Sequence, residues 1–153
     1  MHHVIPEFVN LFCTGLLAGA ELVVRYGVRA PITVLDEQPQ IQLRQALIRS
    51  LRVLVPAILA PTVVSGVAVT ALDGTGPGFG LRCTALLALL AWALVTFIGT
   101  VPINKATLTW RPGAPPGNWR ALVSRWERLD TARSWAALAA FAFFLTATAL
   151  PLA

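Results

Sequence analysis

A chain of 153 residues has room for one domain, and 56% hydrophobic with 12% charged residues and a mean hydropathy of +0.70 sets it apart from soluble proteins, of which about 25% is charged. That balance excludes a soluble enzyme or binding module and predicts an integral membrane protein. The net charge of +5 is gathered in two basic clusters beside apolar runs, a topology signal that excludes a nucleic-acid footprint.

The first apolar interval, Phe8 to Ala20, has 13 residues without Asp, Glu, Lys or Arg, and at about 1.5 Å per residue it falls short of a hydrocarbon core about 30 Å thick. A first span over 8–28 must therefore take in Glu21, Arg25 and Tyr26. No basic n-region or small-residue cleavage pattern marks a removable signal peptide, so this span is expected to stay. Residues 41–50 read as an amphipathic lead-in, with Leu43, Leu47 and Leu51 on one face, to a second span over 51–72. Pro56 and Pro61 lie within that span, where they kink a helix and free backbone carbonyls. DGTGPGFG is a short Gly/Pro turn into a third span over 82–103, and it ends in Gly99-Thr-Val-Pro-Ile-Asn-Lys105. After the breaker RPGAPPG, Asn118 can cap a helix with Trp119, Leu122, Val123, Trp126 and Leu129 at helical spacing, which leads into a fourth span over 132–151. The expected fold is all-α, one domain over 1–153, an integral membrane four-helix bundle with amphipathic helical extensions on the cytoplasmic side.

Four crossings place eleven of the twelve basic residues on one side, and Arg82 alone is left on the other. The positive-inside rule then puts both termini and the Gly/Pro turn on the non-cytoplasmic side of the cell membrane. Cys13 and Cys83 lack the Cys-x-x-Cys spacing of a redox or zinc site and read as small apolar residues.

In this topology the polar residues gather at the inner ends of the spans. Glu21 stands two turns from the end of the first span, with Arg25 expected on the same side of the helix one turn lower. Ionisable groups in lipid are costly, so they pair, face the bundle interior or mark a functional cavity. The alternative for this pair is an i,i+4 ion pair at the interface with Arg25 reaching water. Asn104 and Lys105 offer hydrogen-bond donors at the same depth, or else terminate the third span. Trp126, Arg128 and Arg133 either anchor the fourth span in lipid headgroups or line the same cavity with Tyr26. His2 and His3 are the only histidines, so the bundle of one protomer has no ligands for bis-His haem or a His-rich metal site. At the terminus His3 offers a square-planar copper or nickel site, against the simpler reading of a frayed tail. Proton abstraction and electrophilic stabilisation by Glu, Arg, Lys and Tyr stay chemically open.

AGAELVVRYGVRAP (18–31), TVPINK (100–105) and NWRALVSRWERLDTAR (118–133), in this order, resemble a family of small four-span membrane proteins that includes anthrone oxygenases. The resemblance implies insertion of an oxygen atom from O2 at an activated methylene of a lipophilic aromatic substrate. It makes Glu21 a candidate base and Arg25, Asn104 or Lys105 candidate stabilisers of an oxyanion, with Tyr26, Trp126, Arg128 and Arg133 as substrate contacts. It implies no metal, leaves the cofactor unknown and keeps cofactor-independent O2 chemistry open. Many relatives carry His where this chain has Asp130, so the role of that His does not carry over.

A second reading is a non-catalytic membrane subunit packing against partner helices or a second copy. Gly15 and Gly19 form a Gly-x-x-x-Gly pair suited to close helix contact, inside the bundle or outside it. A small transporter is disfavoured, because its charged groups would line the midplane. Membrane lipids and a lipophilic small molecule are the expected partners.

Overall fold

A computed structural model describes residues 4–150, and among them four helices are long and apolar enough to cross a membrane: α1 (Val4–Thr33), α2 (Glu37–Leu72), α3 (Phe79–Thr109) and α4 (Trp119–Ala149). His2 and His3 lie outside the described residues. The chain is an all-α membrane bundle. Large apolar side chains such as Phe8, Phe12, Val53, Val64, Ile98 and Leu145 point away from it and are exposed, as a surface solvated by lipid requires. The lead-in segments are not separate: residues 41–50 belong to α2 and residues 119–129 to α4.

The core is built from small residues facing large ones. Ala85, Ala137, Ala140 and Ala147 are fully buried, and they admit Trp92, Leu89 and Phe144 between the backbones. In lipid no hydrophobic drive separates helices from solvent, so such close packing has to supply the cohesion. Gly15 belongs to this scheme, since a Cβ there would lie 3.2 Å from the Phe141 ring, whereas Gly19 has open space in front of it. The pairing of α3 with α4 is the most extensive, α1 lies against both α2 and α4, and α2 meets α3 only lightly.

Two helices widen at equivalent points. Residues Val23–Val28 of α1 and Val95–Thr100 of α3 are π-helical, with Arg29 N–H donating to Val24 O and Val101 N–H to Thr96 O, five residues back. In each six-residue segment the fifth residue is glycine, Gly27 or Gly99, and a proline follows, Pro31 or Pro102. Proline cannot donate to the carbonyl four residues back and its ring crowds that carbonyl. Widening the turn just before it relieves the crowding. Gly99 also lets α3 approach α4, because a Cβ there would meet Leu129 Cδ1 at 3.0 Å.

Polar ties close both ends of the bundle. At the basic end Gln45 Nε2 donates to Thr107 O (2.9 Å) and Trp110 O (3.0 Å), and Gln40 Nε2 donates to Ile32 O (3.2 Å). These clips hold α2 to the ends of α3 and α1 around a small apolar cluster of Ile41, Trp110 and Trp119. Asn118 occupies the N-cap position of α4, but its side chain makes no capping bond. The helix starts instead from Trp119 N–H donating to Pro116 O at 2.9 Å and Leu122 N–H to Asn118 O at 3.2 Å. At the opposite end Arg82 is buried and pairs with Glu7 (3.0 Å) and with Asp73. One guanidinium thereby joins α1, the α2–α3 turn and α3. Cys13 and Cys83 are both free and half-buried.

Candidate active site

A cavity of about 370 Å³ lies toward the basic half of the bundle, with walls drawn from all four helices. That volume is within the range of small-molecule sites, about 300–1,000 Å³. Most of its wall is aliphatic, from residues such as Leu47, Leu51, Leu59, Val101 and Leu108. The wall residues contributed by α1 and α4 are buried or half-buried. The exposed ones, Arg52, Leu54, Pro56, Phe97 and Lys105, all come from α2 and α3. The cavity thus reaches the outer surface along the seam where those two helices touch least. Pro56 stands on this seam, and its missing N–H leaves the Arg52 carbonyl without its usual helical donor.

The deep end of the cavity is polar. Glu21 is 4% exposed, and its Oε1 accepts from Trp92 Nε1 at 3.0 Å and from Arg133 Nη2. The guanidinium carbon of Arg133 lies 5.0 Å from the centre of the Trp92 ring, so the cation is held by a carboxylate on one side and a π face on the other. Glu21 Oε2 and Arg133 Nε are buried without a hydrogen-bond partner. Asp130, one turn before Arg133 on α4, is completely buried, lines the cavity, and has no partner for either carboxylate oxygen. Two buried carboxyl groups and one guanidinium therefore meet at the end of an apolar chamber.

The basic end of the cavity is framed by Asn104, Trp126, Arg29 and Arg44. Trp126 Nε1 donates to Asn104 Oδ1 at 3.0 Å. An indole N–H can only donate, so this bond fixes the amide orientation and leaves the Asn104 NH2 group on offer. Glu127 accepts from Arg29 at its Oε2 (2.9 Å) and from Arg44 at its Oε1 (3.4 Å), and Arg44 also lies 5.8 Å from the Trp126 ring centre.

Of the residues singled out in the sequence, Glu21, Asn104, Lys105, Trp126 and Arg133 line this one cavity, with Lys105 at its exposed mouth. Arg25, Tyr26 and Arg128 do not. Arg25 makes no ion pair with Glu21; it lies 5.1 Å from the ring centre of Tyr26 and 5.6 Å from that of Trp135, and both rings are exposed on the outer surface. The expectation of a shared face assumed 3.6 residues per turn. Spacing alone does not register the competing partners: Arg25, inside the π-helical segment, lies over two aromatic rings at the outer surface, where a cation is stabilised without entering the bundle. The partner of Glu21 comes from α4 instead. Arg128 is exposed and away from the cavity.

Sequence reasoning missed Trp92, Asp130 and Arg44. Trp92 sits in a charge-free run where nothing marks its N–H as engaged. Asp130 and Arg44 fall among other charged residues that do remain at the surface. The signal that existed was periodicity: Trp126, Asp130 and Arg133 follow one another at spacings of four and three, which places them on one helix face.

Among the described residues no three His, Cys, Asp or Glu side chains converge as a metal site. A family model described as anthrone oxygenase matches residues 45–143. No curated protein and no solved structure matches the chain.

Proposed function

Since the chain belongs to the anthrone oxygenase family, we propose that its cavity oxidises a lipophilic aromatic substrate at an activated methylene with O2. The observation that carries this reading is Glu21 Oε2, an unpartnered carboxylate oxygen buried at the polar end of a largely aliphatic chamber. Oε1 is engaged by Trp92 and Arg133, so Oε2 is the atom left to take a proton. The access along the α2–α3 seam suits a substrate dissolved in the bilayer.

In this mechanism Glu21 takes one methylene proton, and the electron pair left behind spreads onto the conjugated carbonyl oxygen. The NH2 group of Asn104 and the guanidinium of Arg133 are the donors available to that oxyanion. The carbanion passes its electrons to O2 as a C–O bond forms, and the resulting peroxide takes back the proton held by Glu21. Asp130 then removes the second methylene proton while the O–O bond breaks. That proton leaves with the departing hydroxide as water, so CH2 and O2 become C=O and H2O. By the positive-inside rule this site faces the cytoplasmic leaflet and both termini lie on the opposite side.

The non-catalytic subunit is the competing reading. Support for it weakens at Gly15, which is occupied within the bundle by Phe141. The deciding experiment is purified protein in nanodiscs, supplied with an anthrone and followed for O2 uptake and quinone absorbance. Glu21→Gln keeps an Oε1 acceptor for Trp92 and Arg133 but removes the base, and turnover is expected to fall by about 10²–10⁴. Full activity in a folded Glu21→Gln protein overturns the assignment.

A further inference from the structure

The mouth of the cavity differs from its interior in charge. Five cationic side chains line the cavity, Arg29, Arg44, Arg52, Lys105 and Arg133, against two carboxyl groups, Glu21 and Asp130. Arg133 is taken by Glu21, and Arg29 and Arg44 share the single carboxylate of Glu127 outside the wall. Arg52 and Lys105 have no carboxylate partner among the described residues. Both are exposed where they line the cavity, Arg52 from α2 and Lys105 from α3.

Ordinary headgroup anchoring does not account for this arrangement. Arg49, Arg111, Arg125 and Arg128 are exposed and line no part of the cavity, as anchors are expected to be. Arg44 is only 8% exposed, and its Nε is buried without a partner in the cavity wall. Arg52 and Lys105, unpaired at the rim, offer donors to one anionic group, and Arg44 adds positive charge deeper in the wall, about 12 Å further along α2.

From this we propose that the mouth between α2 and α3 is a binding site for the anionic head of an amphiphile whose apolar body fills the cavity. The inference rests on reading the cavity as the substrate chamber and names the substrate class: a fused-ring aromatic carrying one ionised acid, carboxylate or phenolate, at the end remote from the reacting carbon. An anionic lipid headgroup presents the same chemistry.

The test measures binding, with no turnover required. Wild-type protein in phosphatidylcholine nanodiscs is titrated with anthracene-2-carboxylate and with the neutral 2-(hydroxymethyl)anthracene, reading tryptophan quenching against empty nanodiscs. The carboxylate is expected to bind at least about tenfold more tightly, as charge-assisted hydrogen bonds imply. In an Arg52→Gln/Lys105→Gln variant that preference should fall below about threefold while the carbinol binds as before. Equal affinities in the wild type, or a preference that survives in the variant, overturn the proposal. Repeating the titration with phosphatidylglycerol in the nanodiscs separates the two sources of the anion. Displacement of the carboxylate assigns the mouth to a lipid headgroup, and retained binding assigns it to the amphiphile's own acid. A protein that shows the preference but oxidises no anthrone keeps this site and loses the oxygenase reading; oxidation without the preference has the opposite meaning.

Discussion

Arg133 of α4 and Glu21 of α1 meet inside the bundle, with the guanidinium lying over the indole of Trp92, and so join the three helices that form the tight side of the fold. Removing one member of a buried ion pair strands the other, at a cost of about 3–5 kcal/mol. Arg133→Met should therefore lower thermal stability in detergent sharply. Adding Glu21→Leu should recover a large part of that loss, because two apolar side chains leave no stranded charge. A double-mutant cycle on melting temperature measures the coupling, and additive losses would exclude it.

Trp92→Phe isolates the N–H from the ring. It removes the donor to Glu21 at 3.0 Å but keeps an aromatic face beneath Arg133. A hydrogen bond to a charged group is worth about 1.5–3 kcal/mol, so destabilisation of that order is expected. Trp92→Leu, which also loses the π face and volume, should cost more. Equal stability of wild type and Trp92→Phe would show that the indole N–H adds nothing.

Asp130 is expected to separate stability from activity. A fully buried carboxyl group without a partner for either oxygen costs stability, and Asp130→Ala should raise it by about 1–3 kcal/mol. The same substitution should reduce quinone formation by about 10²-fold or more if Asp130 moves the second proton. A variant that loses stability and keeps its turnover would make Asp130 a structural group.

Gly99 marks a close approach of α3 to α4, with Leu129 Cδ1 3.0 Å from where a Cβ would stand. Overpacking typically costs about 1–3 kcal/mol. Gly99→Val should fall in that range, Gly99→Ala at its lower end because the Leu129 side chain can shift. Leu129→Ala should partly rescue Gly99→Val. Thermal unfolding of the four proteins checks this, and a rescue that fails would place the strain elsewhere.

Arg82 tests the end of the bundle remote from the cavity. Arg82→Gln leaves the half-buried Glu7 and Asp73 without their shared cation, and stability should fall by about 1–3 kcal/mol. Anthracene-2-carboxylate binding to the folded fraction should be unchanged. A change in affinity would mean that the two ends are coupled.

What the sequence disclosed was set by length and charge. Thirteen apolar residues cannot cross a membrane, and that alone put Glu21 in the interior, where it is buried. Partners were harder to read. The i,i+4 spacing of Glu21 and Arg25 pointed to each other, but Arg25 lies over the outer rings of Tyr26 and Trp135 and Glu21 takes its cation from α4, neither of which local spacing reveals. Arg133 belongs to a run of arginines that spacing alone cannot divide into inward and outward members. The Arg82 tie depends on Glu7, 75 residues away, a pairing that only the packed bundle brings about.

The two wide turns also fix rotational phase. Each residue advances an α-helix by about 100°, and a π turn absorbs one residue more than an α turn does. Forcing Val23–Val28 into plain α-helix with every residue kept would rotate the remainder of α1 by about 100°. Arg29 would then lose its bearing on Glu127 without any change in the residues that make the contact. Deleting one residue there as well would restore the phase. In α1 and α3 alike, the extra residue acts as an angular spacer that allows one helix to present one face to the core and another to the basic end.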